Sequence, residues 1–234
     1  MKTLQKFGGF SALYMAFAHL TGLMIFIVIL DYISITDLAQ KVAINVENQA
    51  VVFSTNLLMY VFFGFFLIVF SLALYNRLKA GAPALMQVAT VIGIVWAGSL
   101  IASGMVANAA LTSVVALHAT DPTQAALTWQ GIEPAIDGLG NANGEILGGL
   151  MTLLISLAAM RAGTLPRGLN ILGVGIGALG IISLVPMLTS TLGPVFGLGQ
   201  IIWFIWMGIV LLRSNPAETA EQQMRPAYRS IVQE

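Results

Sequence analysis

The sequence predicts an all-α integral membrane bundle of six transmembrane helices with both termini cytoplasmic. Three observations carry that expectation. Of 234 residues, 58% are hydrophobic and 9% charged, with a mean hydropathy of +0.89, whereas a soluble domain carries about 25% charged residues. Six apolar runs reach the roughly 20 residues a bilayer crossing needs. The basic residues also segregate: Lys2, Lys6, Arg77, Lys79, Arg161, Arg167, Arg213, Arg225 and Arg229 fall at the N-terminus, loops 2–3 and 4–5 and the C-terminus, and Lys41 alone falls on the other side. By the positive-inside rule both termini are then cytoplasmic, in a bacterial plasma (inner) membrane. Acids run the other way, with Asp31, Asp37, Glu47, Asp121, Glu133, Asp137 and Glu145 in or near outer segments.

Taken in order, the expected spans are 9–33, 50–75, 84–108, 137–160, 166–189 and 194–213, followed by a polar cytoplasmic tail over 214–234. In lipid each backbone group must be satisfied within its own segment, so these spans are helices. Lys2 and Lys6 ahead of an apolar run resemble a signal peptide, but the run is too long for a cleaved one and reads as a retained signal anchor. In loop 1–2, Leu38, Val42 and Val46 recur every fourth residue after a polar start, which predicts a short amphipathic helix on the membrane surface. In loop 3–4, Asp121-Pro122 reads as the cap and first residue of a second short helix, and Pro134 as the start of the fourth span. Pro83 and Pro166 open the helices after the two tight inner loops.

The absence of cysteine excludes disulfides and thiolate chemistry. Two histidines, with His118 placed well above His19 in depth, argue against a metal site or a bis-histidine haem, so no metal and no cofactor are expected. No phosphate loop, HExxH, GxSxG or basic nucleic-acid patch is present, so enzymatic activity has the least support and nucleic acid is excluded as a partner. The expected partners are the lipid bilayer and either a second copy or another membrane protein.

The stretch 133–149 (EPAIDGLGNANGEILGG) holds most of the intramembrane chemistry. Asp137, Asn141 and Glu145 recur every fourth residue, and Gly140, Gly144 and Gly148 interleave with them. Asp137 and Asn141 read as a wetted helix start. Counted from each helix's cytoplasmic end, Asn56, Ser99, Glu145 and Gln200 lie roughly 20 Å in, and His19 roughly 15 Å. Five helices thus bring a polar side chain to a similar level. A charged carboxylate there costs at least about 2.5 kcal/mol, so Glu145 should be neutral, paired or wet. Glu145 and His19 are expected to touch, directly or through water. Asn, Ser and Gln in such helices more often bond helix to helix than bind ligands. Gly173, Gly177 and Gly180 mark a close-packing face of helix 5. Of Trp203 and Trp206, one should pack inside, and Trp129 suits an interfacial anchor.

The hairpin RAGTLPRGLNILGVGIGALG (161–180), with DLAQKVAINVENQ (37–49), ALYNRLK (73–79) and QIIWFIWMGIVLL (200–212), resembles a bacterial six-helix integral membrane family named only as a domain of unknown function (DUF4386-like). The resemblance covers most of residues 9–213. It implies a six-helix membrane protein of unassigned activity and supplies no functional residues. The leading functional expectation is a non-enzymatic structural, regulatory or partner-binding membrane protein. The alternative is a small proton-linked transporter or ligand-binding protein with an outward-facing polar pocket around Glu145, joined by His19, Asn56, Ser99 and Gln200.

Overall fold

The computed structural model describes residues 2–140 and 142–214, without the side chains of Lys2 and residues 142–144. Asn141, the surroundings of Gly144 and all but the first residue of the expected tail therefore lie outside the described residues. Every regular element among the described residues is helical. Helix α1 (Lys2–Leu23) passes into a π-helical turn at Met24–Ile29, and a 3-10 turn follows at Tyr32–Ser34. Next come α2 (Leu38–Glu47), α3 (Gln49–Asn56), a second π-helical turn at Leu57–Phe62 and α4 (Phe63–Leu78). Helices α5 (Pro83–His118), α6 (Pro122–Gly140), α7 (Ala142–Ala162), α8 (Arg167–Ile182) and α9 (Pro186–Arg213) complete the described chain. Five segments are long and apolar enough to cross a membrane: Thr3–Ile29, Gln49–Leu78, Pro83–His118, Pro122–Ala162 and Pro186–Arg213. Helix α8 is apolar but shorter, at 16 residues.

The cap expected at Asp121 forms, and Asp37 caps α2 in the same way. Asp37 accepts from the Gln40 amide at 2.8 Å and Asp121 from the Gln124 amide at 3.0 Å, each satisfying a donor that the helix start leaves open. Two proline expectations need correction. Pro134 does not start a helix but lies inside α6. The buried stripe of Ala125, Trp129, Ile136 and Gly140 runs past it on one helical face, and Pro134 itself is exposed, so packing carries the helix through the missing amide. The last helix begins at Pro186, with Pro194 inside it. Val185, forced out of the helical region by the following proline, adopts φ −69°, ψ 116° and breaks the chain there instead.

The chain forms two compact units. The first comprises Met1–Ala16, Phe66–Val95 and Glu145–Glu234. Its core includes Phe70 set edge-on to Trp203 and Phe204, with centroids 5.9 and 5.7 Å apart. Trp203 is fully buried and Trp206 is 38% exposed, as expected for a pair with one member inside. Glycines let the backbones of α7 and α8 meet: a Cβ on Gly177 would stand 2.7 Å from the Gly149 carbonyl oxygen, and one on Gly180 would stand 2.7 Å from the Phe196 ring. Gly173 leaves room for Ser156 and Trp203. On α7 it is Gly149 that meets α8; its neighbour Gly148 is buried.

The second unit comprises Phe17–Phe65 and Trp96–Gly144. Val42 of α2 packs with Ala125, Trp129 and Ile136 of α6 and with Ala107, Ala110 and Val114 of α5. Leu38 and Val46 flank that cluster, so the apolar face of α2 is covered by protein, where a membrane-surface helix was expected. Trp129 is 6% exposed, a core residue instead of an interfacial anchor, because the same face of α6 meets α2. Gly140 packs on Ser103 and Tyr60.

Candidate functional site

The polar residues singled out from sequence find partners in two separate groups. Within the first unit, Thr152 and Gln200 exchange hydrogen bonds at 3.0 and 3.1 Å, both side chains being buried. Glu145 accepts from the Ser183 hydroxyl at 3.2 Å, and Gly193 packs so closely on its carboxylate that a Cβ would stand 2.6 Å from Oε1. Within the second unit, Asn56 donates to Asn108 Oδ1 at 3.0 Å, and Asn108 donates to the Phe53 carbonyl at 3.2 Å. Ser99 donates to the Leu139 carbonyl, and Ser103 donates to the Ile136 carbonyl at 2.9 Å. His19 lies edge-on to Phe63, with centroids 5.0 Å apart. The expected contact between His19 and Glu145 would join the two units, and each residue is described only within its own.

A richer constellation lies in the second unit, around Tyr32. Asp31 makes it possible by adopting the left-handed conformation, φ 47° and ψ 33°, which ends the first helix and starts the turn carrying Tyr32. The Tyr32 hydroxyl donates to Glu133 Oε1 at 3.0 Å and accepts from Trp129 Nε1 at 3.1 Å and Asn45 Nδ2 at 3.3 Å. A phenol has one proton and two lone pairs, so its capacity is fully used. Lys41 Nζ reaches the same Glu133 oxygen at 3.1 Å and lies 5.3 Å from the centre of the Tyr32 ring. Burial, reinforced by the Glu133 charge against the opposing bonds from Asn45 and Trp129, pushes the Tyr32 phenol well above its ordinary range. It is therefore a neutral donor at physiological pH.

This network walls a cavity of about 110 Å³. Phe26, Tyr32, Tyr60 and Trp129 supply aromatic rings, Glu133 and Asp137 carboxylates, and Asn45 and Asn56 amides, over a backing of Val52, Ala107 and Ile136. Phe26 and Tyr60 stand in the two π-helical turns, a distortion of the helix ladder that is frequent at functional sites. A second cavity of about 270 Å³, lined by Gln49, Ala50, Phe53, Leu111, Thr112 and Val115, has no charged group on its wall. Among the described residues no three His, Cys, Asp or Glu side chains gather as a metal site would require.

Of the residues picked from sequence as a site, the structure brings only Asn56 to the 110 Å³ cavity. Sequence reasoning missed Tyr32, Tyr60, Trp129, Asn45, and the pairing of Lys41 with Glu133. One signal was available: Trp129 and Glu133 are four apart on one helical face, and Lys41 is the lone base of the outer loops. Comparison with family models, curated proteins and solved structures finds no match.

Proposed function

We propose that this chain is a six-span protein of the bacterial inner membrane, of the family it resembles, which holds a small ligand in the cavity beside Tyr32 and is not an enzyme. The observation that carries the binding reading is the cavity itself: a hydrogen-bonded network centred on Tyr32 braces its wall, and its lining combines apolar bulk with a few polar groups, the usual make-up of a ligand site. The topology is supported by five long apolar segments plus α8. At about 1.5 Å per residue α8 is roughly 24 Å long against a hydrocarbon thickness of about 30 Å, a mismatch that local thinning of the bilayer accommodates. The cytoplasmic assignment of both termini rests on the nine basic residues of the expected inner loops and termini.

The second reading keeps Glu145 as a protonatable site for transport, favoured by its contact with Ser183 in a segment of high apolarity. One experiment separates the two. The full chain is placed in lipid nanodiscs and screened by ligand-observed NMR against a metabolite and fragment library, alongside Asp137→Phe, which crowds the cavity from its exposed member, and Glu145→Gln. Hits lost in Asp137→Phe and kept in Glu145→Gln are the expected result. Hits that depend on Glu145 instead would move the site to the first unit. A library without hits would leave the structural reading, in which the polar pairs only tie helices together.

A further inference from the structure

We infer that the cavity beside Tyr32 is a site for a small organic cation, an ammonium group carried by a few methyl or methylene carbons. The inference rests on the ligand-binding reading above and adds the chemical class. Four features of the second unit converge on it.

The first is the lining. Phe26, Tyr32, Tyr60 and Trp129 surround the cavity together with the carboxylates of Glu133 and Asp137. Aromatic faces attract cations through the ring quadrupole, most strongly when water is excluded, and cages of such rings are how proteins hold quaternary ammonium groups. The second is an ammonium already in place at the edge of this wall: Lys41 Nζ is held jointly by Glu133, at 3.1 Å, and the Tyr32 ring, at 5.3 Å. The same ring and carboxylate that line the cavity therefore bind this kind of charge within the chain. The third is the field. The residues of this unit include Asp31, Asp37, Glu47, Asp121, Glu133 and Asp137 against Lys41 as the single Lys or Arg, six negative charges and one positive, which leaves −5. A cleft lined by one sign of charge concentrates counter-ions of the other. Of the two lining carboxylates, Glu133 is the one that Lys41 reaches.

The fourth is size. A cavity of about 150 Å³ takes benzene, so one of about 110 Å³ limits the enclosed group to a few heavy atoms.

An ammonium group can arrive as a free solute or as the headgroup of an ethanolamine lipid, and the test distinguishes them. Binding of choline, tetramethylammonium and 3,3-dimethylbutan-1-ol, the neutral isostere of choline, is measured by calorimetry on the full chain in phosphatidylglycerol nanodiscs. Choline and tetramethylammonium should bind at least tenfold more tightly than the isostere. Asp137→Arg, at an exposed position, should weaken choline at least tenfold while the unfolding temperature stays near that of the wild type. If that variant does not fold, Asp137→Asn and Tyr60→Leu supply the same readout with smaller losses.

Repeating the titration with ethanolamine lipid in the disc locates the source: weaker apparent choline binding assigns the headgroup as a competitor, and unchanged binding assigns a free solute. Equal binding of choline and its isostere, or choline binding indifferent to Asp137→Arg, overturns the cation assignment and leaves the ligand-binding reading standing. Failure of choline, tetramethylammonium, the isostere and the whole fragment library to bind overturns both.

Discussion

In the first unit, polar side chains meet in closed pairs, Thr152 with Gln200 and Glu145 with Ser183, set among glycines that bring α7 and α8 into backbone contact. In the second, four side chains from two helices, Lys41 and Asn45 of α2 and Trp129 and Glu133 of α6, gather around the Tyr32 phenol, and the wall they build has a cavity behind it. Charge divides along the same line. Among the described residues the first unit carries seven of the eight Lys and Arg residues and the second carries six of the seven acids. A paired amide or hydroxyl spends hydrogen-bonding capacity on holding helices, and glycines draw the backbones close. A network that braces the wall of a cavity spends the same capacity on keeping that space open. Counting polar residues in apolar helices therefore does not find a site. In the second unit, polar groups are arranged around volume.

The largest effect should come from Trp129→Ala. It removes a buried ring from the cluster of α2, α5 and α6 and takes a donor from Tyr32, at a cost of about 3–5 kcal/mol. Chemical unfolding in detergent measures it. A loss below about 1 kcal/mol would mean that the network does not brace the second unit.

Next is the glycine contact. Gly177→Ala drives a methyl into the Gly149 carbonyl and the Leu153 backbone and should cost about 2 kcal/mol. Gly175→Ala, two residues away with nothing within 4 Å, should be neutral or gain up to about 1 kcal/mol from helix propensity. If the two behave alike, backbone proximity is not what holds α7 to α8.

The smallest effect, and the sharpest test of the network, is pH-dependent. The folded pKa of Tyr32 is raised above its unfolded value of about 10, so its contribution is complete below about pH 10 and declines as the pH rises beyond it. Tyr32→Phe should therefore be less stable than the wild type by about 1 kcal/mol at neutral pH, and the two should converge in thermal scans taken above pH 10. A gap that stays constant to high pH would detach the phenol proton from the Glu133 bond.

Much of the fold was legible along the chain because the forces involved are local. Apolar runs separate the long helices, Asp121 caps where the Asp-Pro pair says it should, and Gly173, Gly177 and Gly180 share a face for close packing. Helix ends were less legible where two local rules competed. Pro134 and Pro194 each read as a start, yet lie inside helices; at Pro134 a continuous buried stripe outweighs one lost amide bond.

The site was almost illegible. Glu145 drew attention because a carboxylate in an apolar run is costly, but cost identifies a residue that must be satisfied, and Ser183 is a partner sufficient to begin doing so. Tyr32 looked like the end of a span and Trp129 like an interfacial anchor. Only the fold could show that the Trp129 indole donates to the Tyr32 hydroxyl, which in turn donates to Glu133.

By itself, then, the sequence determined an all-helical chain with long apolar segments, and a strict segregation of charge, because helix formation in an apolar run and the placement of lysine and arginine depend on nearest neighbours and on the solvent each segment meets. Tertiary structure alone decided which polar residues share a wall. Tyr32, Lys41, Asn45, Trp129 and Glu133 come from segments up to about a hundred residues apart, and their meeting depends on the left-handed turn at Asp31, the packing of α2 on α6 and the two π-helical turns, none of which leaves a periodic trace in the chain.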